Sequence, residues 1–337
     1  MQKNTVNNIK NLSKEFKIQN SNLYFSDIEL MSLIQKYGSP LKLIYLPKIG
    51  EQVRKAKTLF NKYINKYSYS GKYEYCYCTK SNHFAPIIDE VLKHNVKLET
   101  SSSYDIDIII NLFENNKISK DIYIINNGIK TKEQLEKILH LYSLGFNNVI
   151  IVLDSKNELN RLLSVSKECK LKIGLRLSTD NSRFGIDKSE IVDFYNKNIA
   201  NNKYLELSML HFFLDSGISD SENYWKIFND AIITYINLKK ICNSIDNFNI
   251  GGGFPISKNL EKIISYENII NKIIYTLSDN FNKQKINHPN IFTEFGKYTV
   301  AESGIIIYRV IEKKEKTKDC WYIINNSFMT TIPDSWT

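Results

Sequence analysis

No run of about 18 consecutive apolar residues occurs in this chain, so nothing in it reads as a membrane-spanning helix. The opening stretch, Met1 to Asn20, is polar and lysine-bearing, without the apolar segment of a secretory signal. The five cysteines, Cys76, Cys78, Cys169, Cys242 and Cys320, lack the paired C-x-x-C spacing of a zinc site. Cys76 and Cys78 stand two apart, which puts both on one face of a strand, as small core residues. A reducing cytoplasm is the expected compartment. His83, His94, His140 and His288 form no ligand spacing with His211, so no metal is expected. No G-x-G-x-x-G follows the first strand of the repeating region, which argues against a dinucleotide fold. A dense charge run of one sign is missing too. The formal charge is +9, but the lysines are spread out and locally balanced, and the only dense run, Glu312 to Asp319, mixes signs. The charge therefore reads as a solvated basic surface, and no nucleic-acid partner is expected.

What is present is a regular alternation. The 337 residues suit one large α/β domain with a smaller attachment. In the first 45, Asn22–Phe25 suggests a strand, Ile28 to Ile34 a helix, and Leu41 to Leu46 another strand after the break at Gly38-Ser39-Pro40. Glu51 to Tyr67 has helical periodicity. From Tyr73 onward, strand candidates begin near Tyr73, Val96, Ile122, Val149, Leu171, Leu205, Phe248 and Ile291, with helix-like stretches such as Phe84–His94, Lys132–Leu144, Glu158–Cys169 and Tyr224–Cys242 between them. Repeated β-then-α units imply parallel strands with right-handed crossovers, and eight of them suggest a closed TIM-like (β/α)8 barrel; an open doubly wound sheet is the alternative. Beyond Glu302, Ile305–Glu312 and Trp321–Ile324 read as two strands joined by a charged turn, Lys313–Asp319. Two or three strands make no stable sheet alone, so this reads as the start of a β-domain and the chain as truncated or a fragment. The expected organisation is 1–45 contributing to the β-domain, 46–303 as the barrel, and 304–337 as the start of the C-terminal β-domain.

In such a barrel, chemistry sits at the carboxyl ends of the strands. Tyr73-Glu74-Tyr75-Cys76-Tyr77-Cys78-Thr79 delivers Lys80 there, a candidate Schiff-base lysine. His211 ends the sixth strand and reads equally as a core residue or a site residue. Gly251-Gly252-Gly253 follows the seventh; consecutive glycines expose backbone N–H groups and suit phosphate, or simply make a tight loop. Glu294 ends the eighth, where a buried carboxylate needs a partner, either a pyridinium nitrogen or a structural cation. Arg176 ends the fifth, with Arg183 close behind, and either suits an interior ion pair.

Together these residues resemble the alanine-racemase-like barrel (fold-type III) family of pyridoxal-phosphate decarboxylases. Cys78-Thr79-Lys80-Ser81-Asn82 is similar to its Schiff-base motif, Leu210-His211 to the strand whose histidine stacks on the cofactor ring, and Gly251-Gly252-Gly253 to the phosphate loop. Glu294-Phe295-Gly296-Lys297 resembles its Glu-Pro-Gly-Arg motif, with Glu294 facing the pyridine nitrogen and Gly296 near the phosphate. Ser216 stands where a phosphate-contacting serine is expected. Tyr77-Cys78-Thr79-Lys80-Ser81, His211-Phe212-Phe213, Gly253-Phe254-Pro255-Ile256 and Phe328 to Trp336 bring the biosynthetic-type arginine decarboxylases nearest. The resemblance implies pyridoxal 5'-phosphate as cofactor, Lys80, His211 and Glu294 as catalytic, and Lys80, Arg176, His211, Ser216, Gly251, Gly252, Gly253, Glu294 and Gly296 as cofactor-binding. It implies decarboxylation of a small amino-acid substrate, arginine to agmatine foremost, within a homodimer or higher homo-oligomer in the cytoplasm. Diaminopimelate, ornithine or carboxynorspermidine decarboxylation, racemisation, and a non-catalytic cofactor-binding chain remain alternatives. Phe295 and Lys297 depart from the family's proline and arginine, and Glu99 stands where the family usually has aspartate. A Cys-Asp segment and a later phosphate-holding tyrosine are absent, so the expectation is a chain that holds cofactor without the substrate-side groups.

Overall fold

The computed structural model describes residues 15–166, 169–179, 182–256, 265–317 and 319–331. It forms two compact units, one of residues 47–256 and 265–301, the other built from the segments flanking them.

In the larger unit eight parallel strands close into a barrel. In chain order they are β5 (Tyr73–Cys78), β6 (Lys97–Thr100), β7 (Ile124–Asn126), β8 (Val149–Leu153), β9 (Leu171–Leu177), β10 (Leu205–Phe212), β11 (Asn247–Asn249) and β12 (Asn290–Glu294), and β12 pairs with β5 to complete the ring. Each begins within two residues of its expected start. The near-continuous apolar run of β8 has all five residues buried, because a strand inside a ring of helices has no solvent face.

Alternation along β5 sorts its side chains. Tyr73 stacks on Phe60 of the helix Leu46–Lys66 at 4.0 Å, and Tyr75 donates or accepts a 2.7 Å hydrogen bond with Thr299, so the odd-numbered tyrosines face outward. Cys76 faces inward and packs with Ile125, Ile150, Val152, Met209 and Phe292 from four other strands. Both cysteines are buried thiols, as expected. Each strand's carboxyl end opens into a loop leading to an outer helix, such as Ala85–Leu92, Ser103–Glu114, Lys132–Ser143 or Glu222–Ile241. The helix after β6 starts with a reciprocal cap: Asp105 N–H donates to Ser102 Oγ, and the Asp105 carboxylate accepts from Ser102 N–H.

The smaller unit holds an antiparallel sheet of β1 (Phe16–Gln19), β2 (Asn22–Phe25) and β3 (Ile28–Glu29), followed by the helix Leu30–Tyr37. There β4 (Leu41–Ile44) pairs antiparallel with β13 (Gly304–Ile307), and β14 (Val310–Glu315) with β15 (Cys320–Ile324). The expected strand Ile305–Glu312 is thus two strands. Its first half takes an N-terminal partner, and the chain then turns to pair with Cys320–Ile324. Lys313, Lys314 and Glu315, expected in a turn, lie in β14 instead. A two-stranded ribbon leaves β14 exposed throughout, so charged side chains carry no burial cost and do not break the strand.

Among the described residues, no helix is long and apolar enough to cross a membrane, and no cluster of histidine, cysteine, aspartate and glutamate could hold a metal ion.

Candidate active site at the carboxyl ends of the strands

A cleft of about 490 Å³ opens at the carboxyl end of the barrel, and Lys80, Arg176, His211, Gly252, Glu294 and Gly296 all line it. These residues are up to 216 positions apart in sequence; barrel closure alone brings them together.

Lys80 sits in a single 3-10 turn, Thr79–Ser81, directly after β5. Two side chains fix that turn: Ser81 Oγ donates to the Cys78 carbonyl at 2.7 Å, and Thr79 Oγ1 donates to the Glu99 carbonyl at 3.0 Å. The lysine side chain is 55% exposed, and its Nζ donates to Glu99 Oε1 at 3.1 Å. Burial works against the Lys80 cation, but the charge and hydrogen bond of Glu99, with Cys78 and Glu294 beside it, together outweigh burial and leave the ammonium raised above its ordinary range. Glu99 itself is fully buried; desolvation pushes its carboxyl up despite Lys80, and its Oε2 has no hydrogen-bond partner.

Glu294 closes β12, the strand paired with β5 on the side away from β6 and Glu99. Its Oε1 accepts from Asn249 Nδ2 at 2.6 Å and from Asn127 Nδ2 at 2.8 Å, and its Oε2 lies 3.5 Å from His211 Nε2. Burial opposes the charge, yet His211 and these donors prevail and hold the carboxyl down to about 2. His211 is buried, and neither ring nitrogen makes a hydrogen bond of good geometry.

Arg176 faces the cleft while its Nη1 pairs with Asp154 Oδ1 at 3.2 Å and its guanidinium lies 4.6 Å from the Phe184 ring. The expectation of an interior ion pair and the expectation of a cleft residue therefore meet in one side chain.

The glycine triplet follows β11. Gly251 takes a left-handed conformation, φ +70°, with its N–H donating to Asn249 Oδ1 at 2.9 Å. Gly252 runs so close to β12 that a Cβ would lie 2.3 Å from the Glu294 carbonyl oxygen. Gly252 and Gly253 line the cleft; Gly251 packs behind them. A Gly252→Ala chain is expected to lose about 1–3 kcal/mol of stability, since neither backbone can yield easily. Thermal unfolding checks this: a melting temperature several degrees lower is expected, and an unchanged one would show a loop free to move.

Ser216 is not brought to the cleft wall. Gly217 N–H donates to the Leu214 carbonyl at 2.8 Å, which makes a tight turn with Asp215 and Ser216 at its exposed tip, and Asp215 is the residue that lines the cleft. Asn127, Asn249 and Asp154 were not singled out from sequence. The available signal was a polar residue at or just past the carboxyl end of a strand, which each of them is. The segment Ile332 to Trp336 lies outside the described residues.

Residues 48–301 match the family model described as pyridoxal-dependent decarboxylase, pyridoxal binding domain. The biosynthetic arginine decarboxylase of Bacteroides thetaiotaomicron is 24% identical over 308 residues, covering 83% of this chain and 48% of that protein. That of Prochlorococcus marinus (strain MIT 9215) is 26% identical over 315 residues, covering 84% and 48%. The chain thus spans about half the length of the curated relatives it matches. Among solved structures, the diaminopimelate decarboxylase of M. jannaschii superposes with a TM-score of 0.81 at 20% identity, covering 93% of this chain and 74% of that one. The Campylobacter jejuni biosynthetic arginine decarboxylase gives 0.77 at 21%, covering 90% and 55%. The structures share the fold; the family match spans the whole barrel, from the helix before β5 to the helix after β12, and with it this chain belongs to the pyridoxal-dependent decarboxylases, of which it carries the pyridoxal-binding domain.

Proposed function

We propose that this chain is the cofactor-holding part of a decarboxylase acting on a basic amino acid, L-arginine foremost, with agmatine and CO2 as products. The observation that carries the reading is the convergence of Lys80, His211 and Glu294 on one cleft, with a glycine-built wall beside them. The family's cofactor fits these residues. The cleft volume is in the range of small-molecule sites. A buried carboxylate held charged at the floor suits a pyridinium N–H, and the flat, polar-unsatisfied His211 ring suits a face-on neighbour. Backbone approaches the cleft at Gly252 and Gly253 without side chains in the way, as a phosphate group requires.

When bound, pyridoxal phosphate supplies an electron-accepting ring for the electron pair that loss of CO2 releases. This chain's residues do the rest. Lys80 presents the amine for covalent attachment, and Glu99, within hydrogen-bond reach of Nζ, holds the resting ammonium and is placed to take the proton that Nζ must give up before it attacks. Glu294 holds a negative charge where the ring nitrogen must keep its proton, and Asn127 and Asn249 keep that carboxylate from rotating. His211 bounds the ring's face, and Arg176, tied to Asp154, lends a fixed positive charge. Arginine is favoured because the curated relatives are named biosynthetic arginine decarboxylases; lysine and diaminopimelate decarboxylases share the fold. The reading extends to residues 46–303 as the catalytic barrel, the segments 1–45 and 304–337 as parts of one β-domain, and a homo-oligomeric assembly.

Release of labelled CO2 from carboxyl-labelled arginine, ornithine, lysine and diaminopimelate, with added pyridoxal phosphate, tests the reading. Arginine is expected to give the highest kcat/KM. Highest turnover of diaminopimelate would move the substrate; no CO2 from any of the four, with cofactor trapped on Lys80, would make the chain a non-catalytic cofactor binder.

A further inference from the structure

The two buried carboxylates of the site share one donor. Asn127 Nδ2 lies 3.1 Å from Glu99 Oε1 and 2.8 Å from Glu294 Oε1, and its two protons serve one carboxylate each. The opposite orientation of the amide would aim its oxygen at two carboxylates, so the geometry admits only this one. Glu99 Oε1 is also the atom that accepts from Lys80 Nζ. A chain of contacts therefore runs from Lys80 through Glu99 and Asn127 to Glu294 and His211, across the cleft floor. Asn127 itself cannot drift: Lys130, fully buried three residues on, donates to the Gly128 carbonyl at 2.6 Å, the Val152 carbonyl at 2.5 Å and Glu158 Oε1 at 3.2 Å, and pins the loop.

We propose that Asn127 is a positioning residue that holds Glu99 and Glu294 in register through one amide, so that the proton kept at Lys80 is set from the ring-binding end of the cleft. The proposal rests on the reading of Lys80 and Glu294 given above. Its physical basis is that Glu99 is wholly buried, with Oε2 unpartnered, and depends on the few donors it has. Facing it are Lys80, the Cys78 thiol, which burial keeps protonated, and Glu294, backed by His211. Remove the Asn127 donor and the Glu99 anion is less well held. It then takes up a proton more readily and no longer raises Lys80. Asn249 is the internal control, because it donates to the same Glu294 Oε1, while the amide that donates to Glu99 is that of Asn127.

The test is the pH dependence of Lys80 acetylation in the cofactor-free chain, measured by peptide mass after limiting acetic anhydride and compared with the unfolded chain. In the wild type the midpoint is expected above that of an ordinary lysine. Asn127→Ala should lower it by about one pH unit, the scale of a charged neighbour at this distance, whereas Asn249→Ala should leave it in place. If circular dichroism shows Asn127→Ala unfolded, Asn127→Ser replaces it: a hydroxyl has one proton and can serve one carboxylate only, and the midpoint should again fall. No fall in the folded Asn127 variant, or an equal fall in Asn249→Ala, would overturn the proposal and leave Asn127 as ordinary packing. Since no cofactor is used, a failure to trap cofactor on Lys80 would sink the functional reading while leaving a measured midpoint shift intact.

Discussion

A Lys80→Ala chain is expected to hold no covalently attached cofactor after borohydride reduction and to lose at least about three orders of magnitude in turnover, the scale seen when a covalent group is removed. Among the described residues Lys80 and Lys297 line the cleft and Lys130 lies buried in the loop after β7, and the geometry separates the three. Lys130 is fully buried and committed to two carbonyls and Glu158, so it cannot turn into the cleft. Lys297 lines the cleft but lies beyond β12, after Gly296, and is exposed. Lys80 alone is on a turn pinned by two side-chain hydrogen bonds, with its amine free to swing from Glu99 into the cleft. The fold should survive the substitution. The Lys80 side chain is 55% exposed, and burial already raises the Glu99 carboxyl, so once its lysine partner is gone Glu99 can take up a proton instead of remaining a bare buried charge. Peptide mapping of the reduced wild type should place the pyridoxyl group on Lys80. Its appearance on Lys297, or its persistence in the Lys80→Ala chain, would sink the assignment.

The barrel was legible because its signals are repetitive and local. Eight short apolar strands at regular intervals, with helix-length connections, leave closure or an open sheet as the only options, and the strand starts differ from expectation by no more than two residues. Lys80, His211 and Glu294 were legible for a related reason: once the strands are placed, closure puts their carboxyl ends around one cleft. What failed was whatever depends on a neighbour's side chain. Asn127 and Glu294 are 167 residues apart, and nothing near Asn127 announces that its amide is needed by two carboxylates from other strands. Ser216, expected near the phosphate from the resemblance, stands beside Asp215 at the exposed tip of the Leu214–Gly217 turn, a placement that the strand pattern does not give. The charged run Lys313–Glu315 read as a turn because charges usually break strands; on a ribbon exposed along its whole length they do not.

Glu294→Gln should separate binding from chemistry. Glutamine has the same shape and can keep its carbonyl oxygen where Asn127 and Asn249 donate, so the floor of the cleft is retained. Its amide then occupies the place of Oε2 and meets His211 Nε2, which can accept from it as the neutral ring. Only the charge is lost. In the wild type that charge is secure: the carboxyl is held at about 2 against the cost of burial, so it is an anion at every pH at which the enzyme would work. An anion fixed opposite a ring nitrogen stabilises the charge distribution of the reacting state far more than that of the resting one, and removing such a group costs on the order of 10²–10³ in kcat. Affinity for the cofactor should change by less than about tenfold, because phosphate contacts and covalent attachment are untouched. Measuring both on the same preparation decides the matter. A large loss of kcat with near-normal cofactor affinity assigns Glu294 to the chemistry, while parallel losses in the two would make it a structural ion-pair partner of His211, and the mechanism would need another source for the ring's proton.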